Sequence, residues 1–253
     1  MPFEFISTED AIAADGLRMV VVSRVPSPWG EAAKGIFHMM SIAWKAVRLV
    51  YDSPVYDAWA KVQIAPIAFY NQETPRSGWR EILEFAETRA PNPSLIADDA
   101  ESMFALSHAL MGEKGLGWER RLQLIEAGLK GNGGFIEPVA KDLGQKYGYS
   151  PEAGAQAERR TIDLLTRFAD RLRAQTAAGS DYYLGDAPSA ADIYSAAIMA
   201  LFKPLPEPVC AMKETTRGAF ETLNEATKAA LQPILLSHRD MMYDRHLALP
   251  LSL

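Results

Sequence analysis

The sequence predicts two domains of different class: an α/β domain in residues 1–90 and an all-α helical domain in residues 98–253. Two observations support this division. The first third alternates between short β-branched runs and helical spacing of apolar residues, whereas the remainder carries little strand signal. A segment with two prolines and an asparagine, residues 90–98, separates the two parts and is predicted to be a linker. Alternation followed by helices alone indicates separate domains.

The N-terminal domain begins with residues 1–16, an acidic lead-in that contains no Lys or Arg. The pattern beyond it predicts the order β-α-β, a polar loop, then β and α. The predicted strands are residues 17–22, 45–51 and 64–71, and the predicted helices are residues 31–43 and 79–89.

The C-terminal domain is predicted to be helical throughout. Its helices are expected at residues 98–112, 117–130, 151–176, 189–202, 213–230 and 233–246. The fourth of them opens on Ser189 with Asp192 three residues later. This is the spacing of a capping box, in which the two residues satisfy amides at the helix start. Both residues are therefore expected to be structural.

Bulk composition excludes several classes of function. The chain has 253 residues and a net charge of −6, which argues against nucleic acid as a partner, since phosphate binding needs clustered Lys and Arg. No run of about 20 apolar residues is present to cross a bilayer, so no membrane partner is expected. The four histidines lack metal-ligand spacing, and we predict no metal site.

The termini and the cysteine content predict a cytoplasmic protein. The acidic N-terminus lacks the positive charge that a secretory signal begins with. Cys210 is the only cysteine, so no intrachain disulfide can form, which fits a reducing compartment.

The first candidate site residue is Ser27, in the sequence Ser-Pro-Trp-Gly just before the first predicted helix. Pro28 is compatible with the first helical position, where its missing N–H costs no hydrogen bond. A small hydroxyl residue there lies over the helix N-terminus, where amides and the macrodipole favour an anion such as a thiolate. The alternative is that Ser27 only caps the helix. Ser23, nearer the end of the first strand, is the competing candidate.

Two further motifs lie near the third strand. Ala65-Pro66 opens that strand, where a proline is tolerated and where its peptide bond can be cis. Arg76-Ser77-Gly78 precedes the next helix, which Ser77 is expected to cap. Amides at that helix start are suited to hold a carboxylate.

In order and spacing, these motifs resemble the N-terminal, thioredoxin-like domain of the glutathione transferases. The resemblance implies that Ser27 faces the glutathione sulfur. It also implies that a cis-Pro66 leaves the backbone of Ala65 free to pair with the tripeptide, and that the turn before Ser77 holds its γ-glutamyl end. Ser27-Pro28-Trp29 is similar to the Cys-Pro-Phe or Ser-Pro-Phe stretch of omega-like and zeta-like members. In the second domain, residues 182–194 and 238–251 also resemble the family.

One position departs from the family pattern. The residue before the serine is usually acidic or Gln there, and here it is Arg76. An acid pairs with the γ-glutamyl ammonium, whereas Arg repels it and favours a carboxylate. Glu73, three residues before Arg76, is the possible substitute for that acidic residue. The alternative ligand is another anionic thiol or a carboxylic acid.

The resemblance implies an enzyme that binds glutathione as co-substrate at Ala65, Pro66, Arg76 and Ser77. The glutathione thiolate would then attack a small electrophile. The expected electrophile pocket lies on the helical domain, at Phe104, His108 and Met111. A homodimer is also expected, with Phe104 and Trp118 as candidate interface residues.

The rival hypothesis is a non-catalytic binding or interaction protein of the same fold. Arg76 and the lack of Cys or Tyr at position 27 favour it. A disulfide or dehydroascorbate-type reductase would need a cysteine at position 27, where Ser27 stands.

Overall fold

A computed structural model of the chain describes residues 4–251, so the outermost ends of both predicted domains lie outside the described residues. The N-terminal part forms a mixed sheet with helices, as predicted. Its elements are β1 (Phe5–Ile6), α1 (Thr8–Ala13), β2 (Leu17–Val21), α2 (Pro28–Met39), β3 (Lys45–Arg48), α3 (Pro54–Ala60), β4 (Ile67–Tyr70) and α4 (Trp79–Arg89). The three predicted strands and two predicted helices are confirmed, although each strand is shorter than predicted and α2 lies about three residues earlier.

The sheet is built around β2. Its strand order is β1-β3-β2-β4, with β3 parallel to β2 and β4 antiparallel to it. All five residues of β2 are buried because both faces of the sheet are covered. Met19 and Val21 belong to the core that contains α2 and α4, whereas Val20 packs with Tyr56 of α3 on the opposite face.

The acidic lead-in contains two elements that the sequence did not indicate. Phe5 of β1 pairs with Ala46 of β3 in parallel. The hydroxyl of Ser7 caps α1 by accepting the N–H of Asp10 at 3.0 Å. Both elements are too short, at two and six residues, for apolar periodicity to register.

The predicted polar loop between the second and third strands contains α3. Ser53 caps it by accepting the N–H of Tyr56 at 3.3 Å. Trp59 stacks on Phe69 of β4 with ring centroids 4.1 Å apart. The aromatic side chains in this segment therefore anchor α3 to the sheet face opposite α2.

The regular elements in the rest of the described chain are all helices. Its α-helices are α5 (Ala100–Met111), α6 (Leu116–Leu129), α7 (Glu137–Tyr147), α8 (Pro151–Ala177), α9 (Ala190–Ile198), α10 (Glu214–Glu221), α11 (Glu225–Ala230) and α12 (Pro233–Arg245). Two short 3₁₀ helices lie at Met199–Leu201 and Glu207–Val209. Within residues 4–251, no helix is both long and apolar enough to cross a membrane.

Two features of this part differ from the prediction. The sequence did not predict α7, which follows a glycine-rich turn and buries only Ala140 and Gly144. The prediction of a single helix over residues 213–230 is wrong, because α10 ends at Glu221 and a separate helix, α11, begins at Glu225. Asn224 caps α11 by accepting the N–H of Thr227 at 2.9 Å.

The buried helix α9 begins as the sequence predicts, with Asp192 reaching back to the helix start. One carboxylate oxygen of Asp192 accepts both the N–H and the hydroxyl of Ser189, each at 2.8 Å. The other oxygen accepts the N–H of Tyr183 and lies 2.9 Å from Nε2 of His238 on α12. Asp192 thus links three segments in addition to capping one helix.

The two parts of the chain contact each other where α2 meets α9, and Gly35 makes this approach possible. A Cβ at Gly35 would lie 2.8 Å from Cγ2 of Ile193 and 3.0 Å from Cδ2 of Leu247. We expect Gly35→Ala to destabilise the protein by about 1–3 kcal/mol, the usual cost of overpacking. Urea unfolding followed by circular dichroism measures the change.

Gly218 in α10 is the matched control, since a Cβ there would meet nothing within 4 Å. Gly218→Ala is expected to stabilise the protein by up to about 1 kcal/mol through helix propensity. Unfolding midpoints that move in the same direction for both variants would contradict the close packing assigned to Gly35.

Candidate functional site

A large cleft lies between the sheet domain and the helical domain. Its volume is about 670 Å³, which suits a small molecule. One wall carries Ser27, Ala65, Pro66 and Ser77. The structure therefore brings together four residues that the sequence analysis selected from three separate motifs.

Ser27 lies at the start of α2 with an uncommitted side chain. It is half-buried, and its carbonyl accepts the N–H of Glu31 at 2.8 Å. It occupies the N-cap position, yet its hydroxyl makes no capping hydrogen bond. The hydroxyl is therefore available to a ligand in the cleft. Ser23 lies in the turn after β2 and does not line the cleft.

The Ala65-Pro66 bond is cis, as predicted. The antiparallel pairing of β4 with β2 ends at Ile67, opposite Val20. Within residues 4–251, the backbone of Ala65 makes no hydrogen bond to another backbone group. Its amide and carbonyl are therefore uncommitted beside the cleft, where an extended peptide could pair with them.

Ser77 lines the cleft with an exposed side chain, but it does not cap α4. The prediction of a Ser77 cap is wrong, because Gly78 is the N-cap residue. Glu81 replaces the missing cap: its carboxylate accepts the N–H groups of Ser77 and Gly78, both at 3.1 Å. These two hydrogen bonds lower the pKa of Glu81, and the one from Gly78 has the larger effect. A ligand carboxylate would have to compete with Glu81 for these amides.

Arg76 is directed away from the cleft. Its guanidinium donates to Glu73 at 2.7 Å and lies 4.6 Å from the ring centroid of Phe85. Glu73 also pairs with Arg89, and the hydrogen bond from Arg76 is the main cause of its lowered pKa. Glu73 and Arg76 therefore neutralise each other, and the backbone of Arg76 is bonded in both directions to Ala68 of β4.

The structure does not bring the three predicted pocket residues of α5 into the cleft. Phe104 and His108 pack around Trp79, with ring centroids 6.5 and 6.4 Å from it. Met111 is buried, and its carbonyl accepts the indole N–H of Trp29 at 3.0 Å. Of the three, Met111 therefore supports the cleft wall at Trp29 from behind.

Sequence reasoning missed the opposite wall of the cleft, which comes from α6, α7 and α10. Trp118 and Arg121 project from α6, Tyr147 from α7 and Phe220 from α10. Tyr147 lies between two tryptophans, 4.8 Å from Trp118 and 6.1 Å from Trp29 by ring centroids. Because α7 itself was not predicted, no sequence signal pointed to Tyr147.

Across the described part of the chain, no group of three or more His, Cys, Asp or Glu side chains is placed to hold a metal ion.

The arrangement defines a class of fold: a thioredoxin-like domain, joined through a cleft to a helical domain. Neither a protein-family model nor a curated protein matches the sequence. Solved structures do match. A glutathione S-transferase from Methylobacillus flagellatus with GSH bound is 14% identical, with 91% of this chain and 96% of that chain covered and a TM-score of 0.61.

Two further bacterial structures are similar. A glutathione S-transferase from Methylobacterium radiotolerans, in complex with glutathione sulfonate, is 15% identical over 90% of this chain and 91% of that chain, with a TM-score of 0.59. A glutathione transferase family member from Pseudomonas fluorescens, with two glutathione bound, is 13% identical over 92% and 97%, with a TM-score of 0.55. The chain therefore has the glutathione-transferase fold.

Proposed function

We propose that the chain binds glutathione in this cleft and joins it through its sulfur to a small electrophile. The observation that carries the proposal is the wall formed by Ser27, Ala65 and Ser77. A hydroxyl at a helix N-terminus, an unpaired backbone edge and a second hydroxyl line one cleft. They match the sulfur, the peptide backbone and the γ-glutamyl end of the tripeptide in kind and in order. The glutathione in similar structures supports the same choice of ligand.

The chemistry assigned to Ser27 is activation of the thiol. A free thiol titrates near ~8.5, so only a few per cent is ionised at neutral pH. A hydroxyl donor and the N-terminus of α2 both favour the thiolate and increase the reactive fraction. The thiolate sulfur then forms a C–S bond to the electrophilic carbon, and the leaving group departs with the bonding electron pair.

A second candidate, a binding protein without turnover, is favoured by the charges around Ser77. Glu81 already occupies the amides of Ser77 and Gly78, and Glu73 is engaged by Arg76. Glutathione binding without conjugation of any electrophile would favour this candidate. A thiol-based reductase is disfavoured, because Cys210 is fully buried and burial raises its pKa to about 11.

The test is calorimetric titration of the full chain with glutathione. We expect Ser77→Ala to weaken binding by about 10- to 100-fold, the value of a hydrogen bond to a charged group. Thr74→Ala is the control, since Thr74 is exposed in the same turn and does not line the cleft. Absence of binding to the parent chain, or equal losses in both variants, would refute the proposed tripeptide site.

The homodimer stays a prediction. Trp118, one of the two side chains suggested for an interface, lies inside the cleft against Tyr147. Phe104 is half-buried beneath the guanidinium of Arg80, which lies 4.4 Å from its ring centroid. Light scattering on the full chain measures the oligomeric state directly.

A further inference from the structure

The far side of the cleft carries positive charge without negative charge. Arg121, Lys146 and Lys213 line it, and none of the described residues that line it is Asp or Glu. The protein as a whole has a net charge of −6. This local excess of positive charge therefore runs against the general composition of the chain.

Arg121 is the central member of this group because it is both buried and unpaired. Arg121 is only 7% exposed to solvent. Its Nε has no hydrogen-bond partner, and none of the ion pairs found within residues 4–251 involves its guanidinium. The pKa of Arg121 is lowered by burial, which marks the cost of holding this charge away from water.

The adjacent Arg120 shows what a structural arginine in this helix looks like. Its guanidinium donates to the carbonyls of Leu201, Phe220 and Thr222 and to the side-chain oxygen of Gln123. Every part of that charge is matched by protein acceptors. Arg121 has no comparable set, although buried charges are ordinarily paired.

The surroundings of Arg121 are aromatic and aliphatic. Its guanidinium carbon lies 5.5 Å from the ring centroid of Phe135 and 5.4 Å from that of Phe220. Trp118 and Leu143 line the same part of the cleft. A ligand there would meet apolar surface together with one strong donor group that suits a carboxylate.

We propose that Arg121 binds the carboxylate of a small hydrophobic acid, and that the second substrate is an electrophile that also carries an aryl or similarly apolar carboxylic acid. The role of this acid as a substrate rests on the proposed function. The carboxylate-binding site at Arg121 does not depend on it. Arg121 fixes the acid at the helical wall, across the cleft from the wall that carries Ser27. The aromatic side chains cover the body of the molecule.

The test uses 2-naphthoate and its neutral analogue 2-naphthamide, titrated calorimetrically into the full chain without glutathione. The parent chain should bind the acid at least about 10-fold more tightly than the amide. Arg121→Met should weaken the affinity for the acid by about 10- to 100-fold and leave the affinity for the amide unchanged. Arg121→Lys should retain part of the preference, since it keeps the charge but loses the bidentate geometry.

Arg159→Met is the control, because Arg159 is exposed on α8 and does not line the cleft. It should leave both affinities unchanged. Arg121→Met is expected to fold, because the guanidinium it removes has no hydrogen-bond or ion-pair partner to lose and methionine keeps an apolar contact with Phe135 and Phe220. Circular dichroism and the unfolding midpoint check this, and Arg121→Lys provides a second measure of the same contact.

Equal affinity for acid and amide would overturn the proposal. So would an Arg121→Met variant that loses glutathione binding as strongly as naphthoate binding, since Arg121 would then belong to the tripeptide site. Arg121-dependent binding of naphthoate in a chain that does not bind glutathione would support the carboxylate site and refute the transfer reaction. The two proposals can therefore fail separately.

Discussion

Ser27→Ala is expected to lower turnover at neutral pH by about 10- to 1000-fold, the scale of losing one oriented donor to a developing or stabilised anion. The hydroxyl lines the cleft at the N-terminus of α2 and makes no capping bond that would otherwise occupy it. Affinity for glutathione should change little, because the contacts assigned to Ala65 and Ser77 remain.

The pH dependence separates this role from a structural one. Removing the donor raises the pKa of the bound thiol, so the thiolate fraction falls most at neutral pH. Turnover of Ser27→Ala should therefore recover towards the parent value as the pH rises through the pKa of a free thiol, about 8.5. A residue that only supported the fold would lower turnover equally at every pH.

Ultraviolet titration of the bound thiolate measures the shift directly in the parent, Ser27→Ala and Ser23→Ala. Ser23 is the control, because it lies outside the cleft lining. An unchanged thiol pKa in Ser27→Ala with a shift in Ser23→Ala would move the site to Ser23. No thiolate signal in any of the three proteins would favour the binding protein without turnover.

Asp192→Ala is expected to destabilise the protein by about 3–5 kcal/mol, the range for removing one partner from a buried, hydrogen-bonded charge. The carboxylate is fully buried and accepts hydrogen bonds from Ser189 and Tyr183, with His238 2.9 Å away. Truncation leaves these buried groups without an acceptor. A simple capping box would be worth only about 1 kcal/mol.

Ser189→Ala is the matched control for Asp192, since it removes only one hydroxyl donor from the same carboxylate. It should cost about 1 kcal/mol. Denaturant unfolding of both variants, with the slope checked for two-state behaviour, gives the comparison. If Asp192→Ala cost no more than Ser189→Ala, the links to Tyr183 and His238 would contribute nothing to stability.

Local motifs in the sequence predicted one wall of the site, and long-range packing determined the other. Ser27, Pro66 and Ser77 each stand at the end of a strand or the start of a helix, where turn and capping chemistry leaves a recognisable pattern. The opposite wall depends on how α6, α7 and α10 pack together, and no short pattern encodes that packing.

Arg120 and Arg121 illustrate the limit most clearly. In the sequence they are equivalent neighbours. In the structure one is satisfied by carbonyls about 80 to 100 residues away, and the other faces the cleft unpaired. Ser77 shows a different limit: a serine next to a glycine was expected to cap α4, but the helix begins one residue later and Glu81 supplies the acceptor.

The arrangement of indole rings gives the cleft an intrinsic optical signal. Two of the five tryptophans, Trp29 and Trp118, line it, and both contact Tyr147. Trp59 is stacked on Phe69 at the far face of the sheet, so its emission should be insensitive to cleft occupancy. Fluorescence can therefore report ligand entry without a label, and Trp29→Phe and Trp118→Phe would show which wall the ligand approaches.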